Sequence, residues 1–181
     1  MTDFQEFTFL SSDGHTQLHG AQWTPADRKP RAVLQIAHGV AEHILRYDDF
    51  ARYLNDRGIL VAGHDHLGHG KSLPEGGTPV YFGDGSTWET VVDDIHLLHD
   101  RLREQYPDDT LYLLMGSDMF LSLHNWRRPE AIMAMAHIAP FSREAEDESA
   151  AFAAQSARLE REFGAQVTVV PNPQVVELSS T

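Results

Sequence analysis

Short apolar runs alternate with amphipathic segments along the chain, and this alternation limits the folds that it can adopt. The runs at 31–39, 59–65 and 110–116 have the continuous apolar character of buried strands. Between them, the segments 46–58 and 87–107 carry apolar residues at helical spacing and end in glycine or proline. The pattern predicts an α/β protein, a three-layer sandwich with a mostly parallel sheet of about seven strands.

The two ends of the chain complete this prediction. Residues 7–25 alternate apolar and polar side chains around an Asp-Gly turn, which is typical of a β-hairpin. Near the other end, strands at about 137–141 and 166–170 flank an alanine-rich helix at 148–164. We expect these strands to extend the sheet in a Rossmann-like C-terminal half.

Charge and composition exclude several classes of function. The formal net charge is −13 and only two of the basic residues are lysine, so binding to nucleic acid, which needs clustered cations, is not expected. The absence of cysteine excludes disulfides, cysteine nucleophiles and thiolate metal sites. The sequence predicts no cofactor.

No apolar run is long enough to span a bilayer. The N-terminal residues MTDFQEFTF lack the basic and apolar regions of a secretory signal. We therefore expect a cytoplasmic protein without a membrane span.

Three motifs in the first part of the chain belong together. IAHGVAEH places His38, Gly39 and Val40 after a buried strand, where backbone N–H groups can face an oxyanion. GHDHLGHGKS follows the next strand, and VYFGD precedes the second helix. Together these motifs resemble the monoacylglycerol lipase and lysophospholipase branch of the α/β-hydrolases, over nearly all of residues 4–114. The resemblance implies an oxyanion region at His38, Gly39 and Val40.

The loop GHDHLGHGKS also allows two other interpretations. A phosphate-binding Walker motif would need glycine where Asp65 stands, so that interpretation fails. His64, His66 and His69, together with Asp65, are residue types that bind zinc. Because they lie on an irregular glycine loop without helical register, we favour a loop packed by its own hydrogen bonds and predict no metal site.

Ser117 stands where a hydrolase of this kind has its nucleophile, after the run that ends at Gly116. The nucleophile turn needs glycine two residues before and two residues after the serine, and those positions are Met115 and Met119. The histidines that follow, His124 and His137, do not lie in a segment that resembles the catalytic tail of the family. The sequence therefore predicts no catalytic residue and leaves the oxyanion region as a vestige.

Residues 111–181 resemble a different family, the bacterial nicotinate mononucleotide adenylyltransferases. The likeness rests on LLMGSDMFLSLHNWRRPEAIMAMAHIAPFSRE and VTVVPNPQVVELSST. It implies a vestigial nucleotide site at Gly116, Asp118 and Trp126, with Ser179, Ser180 and Thr181 at a phosphate. The residues alone also allow Trp126 as a packed aromatic side chain and Asp118 as a helix N-cap. The segment that grips the triphosphate in that family is missing.

These two resemblances predict a chimera, engineered or recombined, whose halves 1–114 and 115–181 form one folded domain. Its expected function is that of an α/β scaffold without a complete active site. The alternatives are a weak serine esterase of the lysophospholipase type and a module that retains weak affinity for a nicotinate or adenine nucleotide. Apolar surface that further hydrolase segments would cover predicts self-association.

Overall fold

Two compact units make up the chain, with the boundary between residues 109 and 110. The computed structural model describes residues 2–108, 112–126, 128–141 and 149–170. The predicted halves 1–114 and 115–181, and their union in one folded domain, stay predictions.

The first unit begins with the β-hairpin that the sequence predicts. Strand β1 (Thr2–Leu10) pairs antiparallel with strand β2 (Gln17–Pro25) along its whole length. Asp13 closes the turn, because its carboxylate accepts hydrogen bonds from the backbone N–H groups of His15 and Thr16, both at 2.8 Å. The predicted hairpin is therefore confirmed.

The hairpin is part of a four-stranded mixed sheet. Strands β3 (Ala32–Ile36) and β4 (Ile59–His64) join it in the order β1-β2-β4-β3. β3 and β4 run parallel, whereas β2 and β4 run antiparallel. The carboxyl ends of β3 and β4 consequently lie at the same edge of the sheet, and the loops that follow them are neighbours.

Helices cover both faces of this sheet, as the alternation of elements predicts. They are α1 (Asp48–Asn55) and α2 (Trp88–Gln105). Successive side chains of β4 point to opposite faces: Val61 lies in a buried cluster with α1, and Leu60 lies in a separate buried cluster with α2. Short 3-10 helices at Ile44–Tyr47 and Gly70–Ser72 complete the described part of the unit.

The described part of the second unit contains one parallel strand pair and three α-helices. Its elements are β5 (Tyr112–Gly116), α3 (Ser117–Ser122), α4 (Pro129–Met135), β6 (His137–Phe141) and α5 (Ser149–Phe163), with a 3-10 helix at Leu123–Asn125. β5 and β6 pair in parallel. Phe120 of α3, Ile138 of β6 and Leu159 of α5 are fully buried in one cluster.

The prediction of one mostly parallel sheet of about seven strands is wrong for the described residues, and of the predicted Rossmann-like C-terminal half they form one parallel strand pair. Their strands form a mixed four-stranded sheet and a separate two-stranded parallel sheet. Residues 166–170 add only isolated parallel bridges, Val167 to Ile138 and Val170 to Phe141. Pro140 lies between those bridges on β6 and has no N–H to donate, so the ladder is interrupted there.

Candidate active site

The loop after β3 presents the backbone N–H of Val40 as an exposed donor. His38 is buried, whereas Val40 is 82% exposed. Within the described residues, no hydrogen bond engages the Val40 N–H. Ala41 adopts a left-handed conformation with φ 62°, which costs an L-residue about 1 kcal/mol. A strained turn thus leaves the Val40 N–H open at the carboxyl end of a parallel strand.

Glu42 holds this loop from one side. Its Oε2 accepts hydrogen bonds from the Gly39 N–H at 3.1 Å and from the Tyr47 hydroxyl at 2.7 Å. The Tyr47 and Gly39 hydrogen bonds lower the pKa of Glu42, while burial and the Glu42 carboxylate raise the pKa of Tyr47 to about 12. Of the predicted oxyanion residues, Gly39 therefore has its N–H occupied, and Val40 has its N–H available.

Two imidazoles hold the same loop from the other side. The His66 backbone N–H donates to His38 Nε2 at 3.0 Å, and His66 Nε2 lies 3.2 Å from the His38 carbonyl oxygen. The ring centroids are 4.1 Å apart. His38 is thus a link between the loop after β3 and the loop after β4, and its side chain does not project toward solvent.

His64 and His69 extend this group of rings. His64 Nε2 lies 3.4 Å from His66 Nδ1, and His69 Nδ1 lies 2.8 Å from the Leu67 carbonyl oxygen. Burial lowers the pKa of His64 to about 3 and that of His66 to about 4. Across the described ranges, no group of three or more His, Asp or Glu residues is placed to hold a metal ion.

Asp65 organises the rest of the loop. Its buried carboxylate accepts hydrogen bonds from the backbone N–H groups of Ile44 at 2.6 Å and Lys71 at 2.8 Å, and it lies 2.9 Å from His19 Nδ1. A Cβ on Gly70 would stand 2.3 Å from this carboxylate, so glycine is required there. The loop is held by a hydrogen bond within itself, at Lys71, and by contacts with two other elements, at Ile44 and His19.

In the second unit, Ser117 follows β5 directly and begins α3. Gly116 before it is extended, with φ −72° and ψ 167°. Among the described residues other than glycine, only Ala41, Val80 and Arg128 have positive φ, so Ser117 is not in a left-handed turn. Ser117 is buried, and the Met115 side chain lies in the core of the unit. The strained turn that lifts a serine nucleophile clear of a sheet is not formed here.

The later histidines have other partners. His124 Nδ1 lies 3.1 Å from Gln155 Nε2, and the His137 ring stacks edge-on against Tyr112 at 5.2 Å. Neither contact joins a histidine to Ser117. Within the described part of the second unit, both rings are thus engaged in contacts with other side chains.

Three residues of the predicted nucleotide site lie within the described part of the second unit. Gly116 is the N-cap of α3, and Asp118 is exposed in the first turn of that helix, so Asp118 is not itself the N-cap. Trp126 is half-buried against the core, and its Nε1 donates to the Ser122 hydroxyl at 3.4 Å. Ser179, Ser180 and Thr181 lie outside the described residues.

Sequence reasoning missed Glu42 and Tyr47 and did not assign a role to Asp65. For Glu42 a local signal existed, because an acidic side chain three residues after Gly39 can reach back to its N–H. The contacts of Asp65 with Ile44 and His19 span 21 and 46 residues of sequence, and no local pattern announces them.

Most of the chain is similar in sequence or structure to known hydrolases. The model of the family described as serine aminopeptidase, S33, matches residues 28–179. A monoglyceride lipase of Mus musculus is 32% identical over 140 residues, which are 76% of this chain and 44% of that protein. A thermostable carboxyl esterase from Bacillus coagulans, solved with glycerol, superposes with a TM-score of 0.61 at 27% identity over 90% of this chain and 52% of that one.

A shorter match points to the second resemblance. A probable nicotinate-nucleotide adenylyltransferase of Rhodopirellula baltica is 39% identical over 59 residues, which are 31% of this chain and 28% of that protein.

The chain spans less than half the length of the monoglyceride lipase that it matches. None of the described helices is both long and apolar enough to cross a membrane.

Proposed function

The chain belongs to the serine aminopeptidase S33 family of hydrolases, and from this membership we propose that it hydrolyses carboxylic esters slowly. The relatives that support this substrate class are named as a monoglyceride lipase and a carboxyl esterase. Membership favours the weak esterase over a scaffold without activity.

The free Val40 N–H carries the proposal. A backbone donor that is already fixed stabilises the negative charge on the carbonyl oxygen of an ester under attack, without reorganising during the reaction. Glu42 and His38 hold the loop on either side of Val40 by the hydrogen bonds of Gly39 and His66. Val40 itself is exposed to an incoming substrate.

The rate is low because no serine nucleophile is prepared. When triad residues are removed from a serine hydrolase, oxyanion donors and substrate binding retain an acceleration of about 1,000-fold over water. Ser117 has neither the strained turn nor a histidine base within its unit. We therefore assign the residual chemistry to attack by water, with the oxyanion stabilised by the loop 38–42.

Hydrolysis of p-nitrophenyl butyrate by the purified chain tests the proposal. We expect a rate above that of the heat-inactivated protein, and the same rate in Ser117→Ala as in the matched control Ser122→Ala. A rate equal to the heat-inactivated blank contradicts ester hydrolysis. Loss of activity in Ser117→Ala alone contradicts the assignment to water.

Residual nucleotide binding is the second candidate, and the adenylyltransferase match favours it. We propose that the chain is a chimera whose part 115–181 derives from that family. Gly116 lets the chain approach a ligand closely at the end of β5, and exposed Asp118 supplies a polar contact in the same turn. The net charge of −13 opposes a triphosphate, so we expect a Kd no better than about 1 mM.

An NMR titration with nicotinate mononucleotide tests this second candidate. We expect shifts of the Gly116 and Asp118 amides and of the Trp126 indole, with Gly164 as an internal reference. If the three signals do not move at saturating ligand, the nucleotide site is absent.

A further inference from the structure

His38 and His66 form a reciprocal pair that joins two loops. One hydrogen bond runs from the His66 backbone N–H to His38 Nε2 at 3.0 Å, and the other joins His66 Nε2 to the His38 carbonyl oxygen at 3.2 Å. Both residues are buried, with 5% and 8% of their surface exposed. His38 immediately precedes Gly39 and Val40, so the pair fixes the backbone at the start of the oxyanion loop.

The partners of His38 determine which of its nitrogens carries the proton. A backbone N–H can only donate, so His38 Nε2 must hold a lone pair. The proton is then on Nδ1, which lies 2.9 Å from the Gly39 carbonyl oxygen, an acceptor. His38 therefore keeps both contacts only as a neutral ring with its proton on Nδ1.

The same reasoning orders the next two rings. His66 Nε2 faces a carbonyl oxygen and donates to it, which leaves a lone pair on His66 Nδ1. His64 Nε2, 3.4 Å away, is the donor to that lone pair, and its own Nδ1 is buried with no hydrogen-bond partner among the described residues. The three rings thus form a directed chain of neutral imidazoles that begins at His64 and ends at Gly39.

The groups around His38 are three further rings, those of His64, His66 and His69, and two carboxylates. His66 and His69 lie with ring centroids 4.1 and 5.2 Å from it. Asp65 and Glu42 favour its charged form, whereas burial and His69 oppose it. Burial is the largest effect and lowers the pKa of His38, so the ring is neutral at neutral pH.

We propose that His38 is a positioning residue that holds the Val40 N–H in place while its ring is neutral and releases the loop when Nε2 takes up a proton. Protonation replaces the acceptor at Nε2 with a donor, which then faces the His66 N–H. The bond between the two loops breaks, and the backbone from His38 to Val40 loses its anchor on the loop after β4. The role of this movement in ester hydrolysis rests on the proposed function.

Amide hydrogen exchange of the full chain, followed by NMR, tests the positioning without any need for activity. We expect the protection factor of the His66 amide to fall at least about 10-fold between pH 7 and pH 5, while that of Val61 in β4 is retained. His38→Gln keeps an acceptor that does not titrate and should keep the His66 amide protected at both pH values. His38→Phe keeps a ring without an acceptor and should leave that amide unprotected throughout.

His43→Gln is the matched control, because His43 is an exposed histidine close by in the chain, and it should behave as the wild type. Protection of the His66 amide that is independent of pH in the wild type, or retained in His38→Phe, overturns the proposal. If His38→Phe does not fold, the comparison of wild type, His38→Gln and His43→Gln decides alone.

The second arm measures ester hydrolysis against pH. In the wild type and in His43→Gln, kcat should fall as the pH decreases below 6.5 with KM unchanged, because the pKa of His38 is lowered from that value, whereas in His38→Gln the profile should be flat. An acid decline that His38→Gln retains overturns the link between His38 and catalysis. A wild type without ester hydrolysis overturns the proposed function instead, and the exchange experiment still decides whether His38 positions the loop.

Discussion

The buried carboxylate of Asp65 lies 2.9 Å from Nδ1 of the buried His19. This contact joins the loop after β4 to strand β2. The same carboxylate accepts hydrogen bonds from the backbone N–H of Ile44, at the start of a 3-10 helix, and from that of Lys71, within the loop. The Asp65 carboxylate therefore joins the loop after β4 to two other elements of the first unit.

Asp65→Asn should destabilise the first unit by about 3 kcal/mol. A carboxylate accepts hydrogen bonds at both of its oxygens, whereas an amide has one oxygen and one NH2 group, so one of the buried N–H donors loses its acceptor. The measurement is the free energy of unfolding in urea at pH 7. Asp27→Asn is the control: its carboxylate is exposed and pairs with Arg28 on the surface, so we expect a change below about 0.5 kcal/mol. Equal effects of the two variants would refute the role assigned to Asp65.

Gly63→Ala should destabilise the chain by about 2 kcal/mol through overpacking. An added Cβ would stand 2.3 Å from Ile44 Cδ1 and 2.8 Å from the Ile36 carbonyl oxygen, and the second of these is backbone in the adjacent strand. In Gly39→Ala, the nearest atom would be Glu42 Oε2 at 3.5 Å, so that variant should unfold like the wild type. The melting temperatures of both variants and of the wild type, measured at one pH, test this prediction.

Acid should destabilise the first unit before its carboxylates are protonated. The pKa of His64 falls from 6.5 to about 3 and that of His66 to about 4, so the unfolded chain binds protons that the folded chain does not. The free energy of unfolding is then highest above pH 6.5 and falls as the pH decreases toward 4, by up to about 1.4 kcal/mol per pH unit for each ring.

Urea unfolding at pH 7 and pH 5 measures this loss. His64→Phe places a nontitrating ring in the same buried position, beside Phe9, and should have a smaller difference between the two pH values. Identical unfolding free energies of the wild type at pH 7 and pH 5 would mean that the imidazoles are not held neutral by the fold.

Leu159→Ala should cost the second unit about 3 kcal/mol, because the leucine is fully buried and its removal leaves a cavity among Phe120, Phe152 and Ile138. Leu114→Ala makes the same chemical change at a residue that is 52% exposed, and we expect less than about 1 kcal/mol. Denaturant unfolding followed by circular dichroism compares them. A cost at Leu114 as large as at Leu159 would place the core of this unit elsewhere.

The elements with local signals could be predicted from the sequence. Apolar runs predicted β3, β4 and β5, and helical spacing predicted α1 and α2, because burial of one face imposes a period that each segment carries by itself. The absence of a nucleophile turn could also be read locally, since Met115 and Met119 stand where the turn requires glycine.

The assembly of the strands could not be predicted in the same way. Pairing depends on contacts between distant residues, and Pro140 removes a donor that the expected ladder with 166–170 would have needed. The site was missed for a related reason. His38 and Val40 could be recognised from their motif, but the contacts of His38 with His66 and of Asp65 with His19 arise only when β2, β3 and β4 are side by side.

The most direct test removes the backbone N–H of Val40. Val40→Pro lacks the backbone N–H to which we assign oxyanion stabilisation, and Val40→Ala keeps that N–H while it shortens the same exposed side chain. The measurement is kcat/KM for p-nitrophenyl butyrate at pH 7 in both variants and in the wild type. We predict a loss of about 100-fold in Val40→Pro and a value near that of the wild type in Val40→Ala. Equal activity of the two variants would contradict the account.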